Sequence, residues 1–391
     1  MSQTIEGLRR PAHYLPELES LRGWAVLLVM GFHYFGILFG DRGDHGLGAA
    51  APAWMKIIAA GNTGVTLFFV LSGFLLSLPF LEALRQRRDI DIRRFYWARA
   101  LRILPLYYLA ILVAWLFTGS ADALKALFFI PVGFGLFPFS VPWWSLCTEI
   151  QFYLLLPWTM LLLRWRLGRW VVALALLAWA AAHLYLLSDR QWLAAPGHWS
   201  IADSLFGRGG AFLAGAFFAW LYNSGWSARW LGRRGVAGLV GSVALAALLA
   251  LLAWYGEVGQ RPAVDRLPMY HNLEALLWGC LLLCSLHLRG GVRSLLLNPL
   301  LEHIGKISYS LYLVHVPVQF YLLYWVRLAT QQMATPLQPL HWLALVGSLP
   351  LIWLLSFACY RCIERPFLNL KARLPVFASK PVAMEGATDA R

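Results

Sequence analysis

The sequence carries little charge. Only 13% of its 391 residues are Asp, Glu, Lys or Arg, against about a quarter in a typical soluble protein, whereas 60% are hydrophobic. These proportions exclude a water-soluble enzyme of this size. A net charge of +14 would suggest nucleic-acid binding in a soluble protein. Here the basic residues have to be interpreted by their position relative to a membrane, and we expect no nucleic-acid partner.

Cysteines are few, and nucleotide-binding motifs are missing. The five cysteines are an odd number without a disulfide-type spacing, so we expect free, packed thiols. The single C-x-x-C, formed by Cys359 and Cys362, lacks a second pair and a nearby His, so we predict no metal site. The sequence has neither G-x-x-x-x-G-K-[ST] nor G-x-G-x-x-G, so a P-loop or Rossmann nucleotide site has no support.

Long apolar windows recur along almost the whole chain. Each is long enough to cross a bilayer as a helix of about 17 to 25 residues. They predict an all-α fold, a polytopic transmembrane helical bundle of about ten spans. The predicted spans are 23–40, 62–84, 102–118, 142–163, 170–187, 205–225, 236–255, 271–288, 306–327 and 341–361.

The basic residues between these windows predict the orientation of the bundle. With a cytoplasmic N-terminus, 25 of the 33 Lys and Arg fall in cytoplasmic segments and the other eight fall in outer segments. This asymmetry follows the positive-inside rule, so we predict that the N-terminus and the C-terminus are both cytoplasmic. The first span lacks a small-residue cleavage site and is interpreted as a retained anchor.

The sequence predicts one folded domain. No outer segment is long enough for a separate domain, so we assign residues 1–374 to a membrane domain and residues 375–391 to a disordered cytoplasmic tail. We find no repeat of fixed period and no matched pair of broken helices in the sequence. Their absence weakens a transporter interpretation without excluding it.

Ionisable side chains inside apolar spans are energetically costly, so they mark candidate functional positions. Arg22 and His33 are eleven residues apart, which on a helix is close to three full turns and about 16 Å of rise, so they share one face. Glu149 and His315 are predicted to lie at a depth similar to that of His33. Glu274 begins a span near the outer surface, where hydration would explain it. For each of them a purely structural, hydrogen-bonded role is the alternative.

The loop RQRRDIDIRRFYWARALRILP is the densest charge cluster of the chain. Its usual explanation is membrane topology and contact with anionic lipid headgroups. Arg99 and Arg102, three residues apart at the mouth of the third span, would also present two guanidinium groups to a phosphate-rich ligand. With Arg22 near the same surface, they predict a cytoplasmic anion site below the histidine at membrane depth.

Six stretches of the sequence together resemble the integral-membrane acyltransferase-3 family, bacterial membrane O-acyltransferases that modify cell-surface glycans and some other acceptors. The resemblance covers about residues 17–368, and its motifs follow the family's order. The matching stretches are LESLRGWAVLLVMGFHYFG, GVTLFFVLSGFLLSLPF, RRFYWARALRILPLYYLAIL, PWWSLCTEIQFYLLLPW, IGKISYSLYLVHVP and YRCIERPF.

The resemblance assigns roles to several of the candidate residues. The Arg-x10-His pattern that is essential in the family falls on Arg22 and His33, and the Arg-x-x-Arg element falls on Arg99 and Arg102. The resemblance therefore implies that the three arginines bind the acyl donor and that His33 is catalytic.

A second element of the family, Trp-Ser-Leu-x-x-Glu, falls on Trp144, Ser145 and Glu149. Where family members commonly carry two carboxylates at this element, this chain has Glu149 alone. We therefore expect Glu149 to be catalytic with His33, and Trp144 and Ser145, with Tyr309 and His315 on the ninth span, to support the site or the acceptor.

The resemblance implies transfer of an acyl group, acetyl in the simplest case, from cytoplasmic acyl-CoA to a hydroxyl of a cell-surface glycan or lipid-linked glycan. His33 would act as a general base or as an acyl-accepting nucleophile, and Glu149 would orient His33 or the acceptor. We expect no permanently bound cofactor, membrane lipids as the other partners, and a multi-pass location in the bacterial cytoplasmic (inner) membrane.

Two other interpretations stay open at this point. A transporter or flippase could use the buried His and Glu as a proton relay and would move its substrate chemically unchanged. A membrane scaffold or sensor is a third and weaker interpretation.

Overall fold

The computed structural model describes residues 15–40, 45–188, 199–330 and 339–373, and every regular element in these ranges is a helix. Ten long helices form the bundle. They are α1 (Pro16–Phe39), α2 (Thr63–Arg85), α3 (Ile92–Thr118), α4 (Trp143–Leu162), α5 (Arg166–Ser188), α6 (Leu205–Asn223), α7 (Val236–Val258), α8 (Tyr270–Ser285), α9 (Ser308–Thr330) and α10 (Pro339–Cys359).

Short helices connect the long ones or extend them. A π-helical turn over Tyr360–Glu364 continues α10 into a last helix over Arg365–Arg373. The other short helices are Ala53–Ala59, Asp122–Leu127, Trp199–Ala202, Trp226–Trp230, Gln260–Arg266, Gly291–Leu296 and Pro299–Lys306.

Each predicted span coincides with one of the ten long helices, so the all-helical class is confirmed. Six of these helices are long and apolar enough to cross a membrane, namely α1, α2, α3, α5, α7 and α10 with its extension. The count of ten spans and the cytoplasmic termini stay predictions. The predicted tail over 375–391 lies outside the described residues.

One boundary differs from the prediction in a way that matters for the site. Helix α3 begins at Ile92, ten residues before the predicted start of the third span. The side chain of Asp91 caps it by accepting a hydrogen bond from the backbone N–H of Arg94 at 2.9 Å. Arg99 and Arg102 therefore lie within a continuous helix rather than at its mouth.

Helix α2 is at the centre of the bundle and is the most buried of the six candidate spans. It contacts α1, α4, α6 and α8. A Cβ atom at Gly73 of α2 would collide with the carbonyl oxygen of Phe212 on α6, and one at Gly215 would collide with that of Val70. Small residues allow this close backbone approach, which is a common basis of helix association in membranes.

All five cysteines carry free thiols, as their spacing predicted. Cys147 and Cys284 are buried among apolar side chains, where a thiol behaves as a small hydrophobic group.

Candidate active site

A cavity between α1, α2, α3, α4 and α9 brings together residues that are far apart in the sequence. We call it the arginine cavity. Its polar lining consists of Arg22, Ser72, Arg99, Arg102, Ser145, Glu149, Tyr153, Ser308, Tyr309 and Tyr312. Six of the nine predicted site residues therefore share one cavity: Arg22, Arg99, Arg102, Ser145, Glu149 and Tyr309.

The three arginines differ in their surroundings. Arg22 donates from Nη1 to Oε1 of Glu19, one turn earlier on α1, at 2.9 Å. The electrostatic neighbours of Arg102 include the carboxylates of Glu364 and Glu19. Arg99 is different, since its buried Nε atom has no hydrogen-bond partner among the described residues. An unpartnered guanidinium N–H in a cavity is available to an anionic ligand.

Glu149 faces the same cavity from α4. Its Oε1 accepts a hydrogen bond from the hydroxyl of Ser72 on α2. Tyr153 lies one helical turn after Glu149 and lines the cavity as well. The carboxylate is therefore held on the α2 and α4 side, opposite α1.

The contact between α4 and α9 is fixed by hydroxyl groups. The hydroxyls of Ser145 and Tyr312 are 2.6 Å apart, and they lie 3.1 and 3.0 Å from the carbonyl oxygen of Pro142. With one proton each, the two hydroxyls donate two of these three hydrogen bonds at a time. Tyr309 donates to the carbonyl oxygen of Ile103 on α3 at 2.8 Å. Because Ser145, Tyr309 and Tyr312 all line the arginine cavity, these bonds hold one of its walls in place.

His33 lies outside the arginine cavity and contacts a second histidine. Its Nδ1 is 3.0 Å from Nε2 of His315, and Nδ1 of His315 is 3.0 Å from the carbonyl oxygen of Leu311. A carbonyl oxygen only accepts, so Nδ1 of His315 carries the proton, and its Nε2 accepts when the ring is neutral. With both rings neutral, Nδ1 of His33 is assigned as the donor to His315, which leaves Nε2 as the unprotonated nitrogen of His33. The backbone carbonyl of Val29, one turn earlier on α1, is a second acceptor beside this ring.

This pairing bears on one half of an expectation. We expected Glu149 to orient either His33 or the acceptor. His33 is hydrogen-bonded to His315 and Glu149 to Ser72, so Glu149 does not orient His33 here, and its role at the acceptor stays a prediction. The reason is the direction of the two side chains, since His33 projects from α1 towards α9 whereas Glu149 projects from α4 towards α2. His315, which is fully buried, holds the position that we had given to the carboxylate.

The free face of His33 opens onto another groove, which we call the aromatic groove. It is lined by Phe32, His33, Gly36, Ile37, Gly40, Phe134, Phe137, Val141, Val316, Phe320, Leu323 and Tyr324. Several of these rings are available to a ligand, because Phe134 is 75% exposed and Phe137 and Tyr324 are about 40% exposed. Along α1 the groove lies beyond His33 on the side away from Arg22.

The wall between the arginine cavity and His33 is thin. The ring of Tyr312 lines the arginine cavity, and its centroid is 5.8 Å from that of His315. The rings of His315 and His33 are 5.0 Å apart in turn. The rings of Tyr312 and His315 therefore lie between the arginine cavity and His33.

Trp144 is not part of the arginine cavity. The guanidinium of Arg208 lies 5.3 Å from the centroid of its ring, which is a cation–π contact, and the ring of Phe69 packs edge-on against it. Arg208 is also paired with Asp203 at 3.0 Å. These contacts give Trp144 a packing role in the first turn of α4.

The expectation of a hydrated Glu274 was wrong. Its side chain is buried, with 1% exposure, and its Oε2 accepts a hydrogen bond from the Thr66 hydroxyl at 2.7 Å. Nδ1 of His271 lies 3.2 Å from the same oxygen. A buried carboxylate needs such partners, and here they come from α2 and from the first turn of α8.

Sequence reasoning missed four polar residues that line the arginine cavity, Ser72, Tyr153, Ser308 and Tyr312, and also Glu364, a carboxylate near Arg102. Ser72 and Tyr153 lie in apolar windows and gave no signal of their own. Glu364 is 2% exposed and accepts a hydrogen bond from Ser310 at 3.0 Å. It lies in the stretch YRCIERPF, which carried part of the family resemblance, so that stretch was the available signal.

A known protein family matches most of the chain. The model of the acyltransferase-3 family, described as an acyltransferase domain, matches residues 15–361, which include all nine predicted site residues. The chain belongs to this family. The match to the family model confirms the resemblance found in the sequence. Together with the apolar helices, it identifies the chain as a multi-pass membrane protein.

Several relatives share part of the chain. YrhL of Bacillus subtilis, whose name assigns it provisionally to the peptidoglycan O-acetyltransferases, is 32% identical over 166 residues, 37% of this chain and 23% of its own length. The peptidoglycan O-acetyltransferase OatA of Listeria monocytogenes is 26% identical over 175 residues, 39% of this chain and 25% of its own. The O-acetyltransferase OatA of Staphylococcus aureus is 27% identical over 37% of this chain and 24% of its own.

The chain thus matches about a quarter of the length of each of these relatives. No solved structure matches the chain significantly.

Proposed function

We propose that this protein is an O-acyltransferase of the bacterial cytoplasmic membrane that moves an acyl group, acetyl in the simplest case, from acyl-CoA to a hydroxyl of a glycan. The observation that carries the proposal is the arrangement of the site. A cavity with three arginines is separated by the rings of Tyr312 and His315 from His33, whose Nδ1 lies 3.0 Å from Nε2 of His315. The family and the names of the relatives support O-acyl transfer and do not favour the transporter alternative.

The arginine cavity is the proposed donor site. Arg22, Arg99 and Arg102 would bind the phosphate groups of CoA, since guanidinium groups form short, charge-assisted hydrogen bonds to phosphate oxygens. The unpartnered Nε of Arg99 supports this role. The positive-inside prediction for the loop before α3 puts the cavity mouth on the cytoplasmic side, where acyl-CoA is made.

His33 is the proposed general base, and His315 positions it. The bond from Nδ1 of His33 to His315 fixes the tautomer in which Nε2 can accept a proton. The logic is the same as for a carboxylate that orients a catalytic histidine, with a neutral imidazole as the acceptor instead. Glu149 faces the arginine cavity, so we propose that it positions the bound acyl-CoA and does not position His33.

The aromatic groove is the proposed acceptor site. It gives access to His33 from the side opposite Arg22, which under the predicted orientation is the outer side. The exposed faces of Phe134 and Phe137 suit the apolar C–H face of a sugar ring. Peptidoglycan strands are the first acceptor to test, because relatives are named for them.

The proposed reaction is a direct acyl transfer. The acceptor hydroxyl attacks the thioester carbonyl carbon while Nε2 of His33 takes its proton. The tetrahedral intermediate then collapses with cleavage of the C–S bond, and the imidazolium returns the proton to the departing sulfur. The products are an O-acyl ester and free CoA, and His33 is neutral again. A covalent acyl-histidine would give the same products in two steps.

The test is reconstitution in proteoliposomes with acetyl-CoA labelled in the acetyl group and peptidoglycan strands as acceptor. We expect thiol release together with alkali-labile label on the glycan, both dependent on His33. Passage of label into the lumen without thiol release would instead support transport and contradict the proposal.

A further inference from the structure

A third cavity lies at the ends of three helices, away from the proposed reaction site. We call it the interfacial groove. It forms where α2 ends at Arg85, where the chain turns from α4 into α5, and where α6 ends at Asn223. Four arginines line it, Arg85, Arg87, Arg164 and Arg169, together with Trp165 and Trp220. It shares no lining residue with the arginine cavity.

The groove is strongly positive because its described lining contains no Asp or Glu. Arg164 is paired with Asp89 at 3.1 Å, but Asp89 is 98% exposed, and such surface pairs contribute little. Two other arginines are held in place by backbone carbonyls. Arg85 donates to Asn223 at 2.6 Å and Arg169 donates to Leu163 at 3.0 Å. Each of these bonds uses one of five N–H groups, so the guanidinium groups keep further donors.

The same groove is also apolar on one side. Trp165 and Trp220 are 55% and 52% exposed, and Leu81, Leu84 and Leu163 complete the lining. Exposed apolar side chains on a membrane bundle face lipid, and tryptophan favours the level of the headgroups. A ligand that suits both sides has an anionic head and an apolar body.

From these observations we propose that the interfacial groove binds the phosphate headgroup of an anionic phospholipid. The basic residues around the groove belong to segments that the positive-inside rule assigns to the cytoplasmic side, so the lipid would come from that leaflet. Basic pockets between membrane helices on this side bind anionic headgroups in general. The bound lipid would join α2, α4, α5 and α6 through one phosphate. A soluble phosphate compound has the same head chemistry but lacks the apolar body.

The test compares lipids on the purified, delipidated full-length protein in detergent. Retention of cardiolipin or phosphatidylglycerol is measured by native mass spectrometry and by thermal stabilisation, with phosphatidylcholine and inorganic phosphate as parallel arms. The variant Arg87→Gln with Arg164→Gln removes two groove charges without disturbing the arginines that bond backbone carbonyls. The control Arg233→Gln with Arg234→Gln removes two exposed charges elsewhere on the same predicted side.

We expect the groove variant to bind the anionic lipid at least tenfold more weakly than wild type, and the control to bind it normally. Equal losses in the two variants would overturn the proposal, because only general surface charge would be acting. Equal stabilisation by phosphatidylcholine would overturn it too. Stabilisation by inorganic phosphate as strong as that by the lipid would reject the lipid in favour of a soluble phosphate ligand.

Discussion

Replacing His33 by Gln is the sharpest test of the proposed chemistry. Glutamine keeps a hydrogen-bonding side chain that can donate to His315, so the contact between α1 and α9 is retained, but its amide does not accept a proton near neutral pH. A positioned general base contributes about 10²- to 10⁴-fold to a rate, or about 2.7–5.5 kcal/mol of barrier. We therefore expect acyl transfer by His33→Gln to fall at least 100-fold.

Replacing His315 separates positioning from proton transfer. His315→Leu keeps apolar bulk at a fully buried position but removes the acceptor for Nδ1–H of His33. Loss of such an orienting partner typically costs about 10- to 100-fold in activity at metal-bound histidines, and we expect a similar loss here. His315→Gln offers an amide oxygen in place of Nε2 and should restore part of the activity. A residue that only fills space would show the reverse order, with Leu better tolerated than Gln.

The assay for both positions is the alkali-labile acetate on the surface glycan of cells that produce each variant, normalised to the amount of protein in the membrane. His45→Gln, at an exposed position outside all three cavities, is the matched control and should behave as wild type. Near-wild-type acetylation by His33→Gln at equal membrane abundance would refute the assignment of His33 as the base.

Three further predictions concern the donor side and the orientation. Replacing Arg99 and Arg102 together by Ala should weaken acyl-CoA binding by at least tenfold, because each charge-assisted contact contributes about 1.5–3 kcal/mol, and Lys at both positions should restore only part of it. Glu149→Gln should lower the rate while the protein still inserts, because the amide keeps an acceptor for the Ser72 hydroxyl. In a cysteine-free background, a cysteine at Lys125 should react with an impermeant thiol reagent from outside, and one at Arg88 should not.

The prediction for Arg99 and Arg102 has a control on the same helix. Arg93→Ala with Arg94→Ala removes two exposed charges from the first turn of α3 and should leave acyl-CoA binding unchanged in calorimetry. If that control lost as much affinity as the cavity variant, the loop would be a topology signal and not a donor site. Labelling of the cysteine at Arg88 from outside would reverse the orientation and remove the cytoplasmic donor.

The parts of the structure that the sequence predicted are those set by local pattern. Apolar windows located ten helices because a segment that buries its backbone in lipid must form its hydrogen bonds internally. The shared helical face of Arg22 and His33 and the spacing of Arg99 and Arg102 also follow from helix geometry alone. The motif order then identified the family, which the family match over residues 15–361 confirms.

The parts of the structure that the sequence could not predict depend on contacts between distant segments. His33 and His315 are 282 residues apart, and no periodicity indicates which buried group will meet which. Depth alone made Glu149 as plausible a partner as His315, and only the packing of α9 against α1 decides between them. The early start of α3 depends on a single cap at Asp91, which an apolar window does not detect.

Carboxylates near the arginine cavity offset the charge of its guanidinium groups. A buried cation is costly unless it is paired, and the carboxylates of Glu19 and Glu364 act on Arg102 while Glu19 also binds Arg22. These partners come from α1 and from the π-helical turn after α10, so segments that are far apart in the sequence both contribute to the surroundings of the cavity. The buried Nε of Arg99 has no partner among the described residues. An incoming phosphate would therefore meet preformed guanidinium groups that still have N–H groups to donate, which need little rearrangement to bind it.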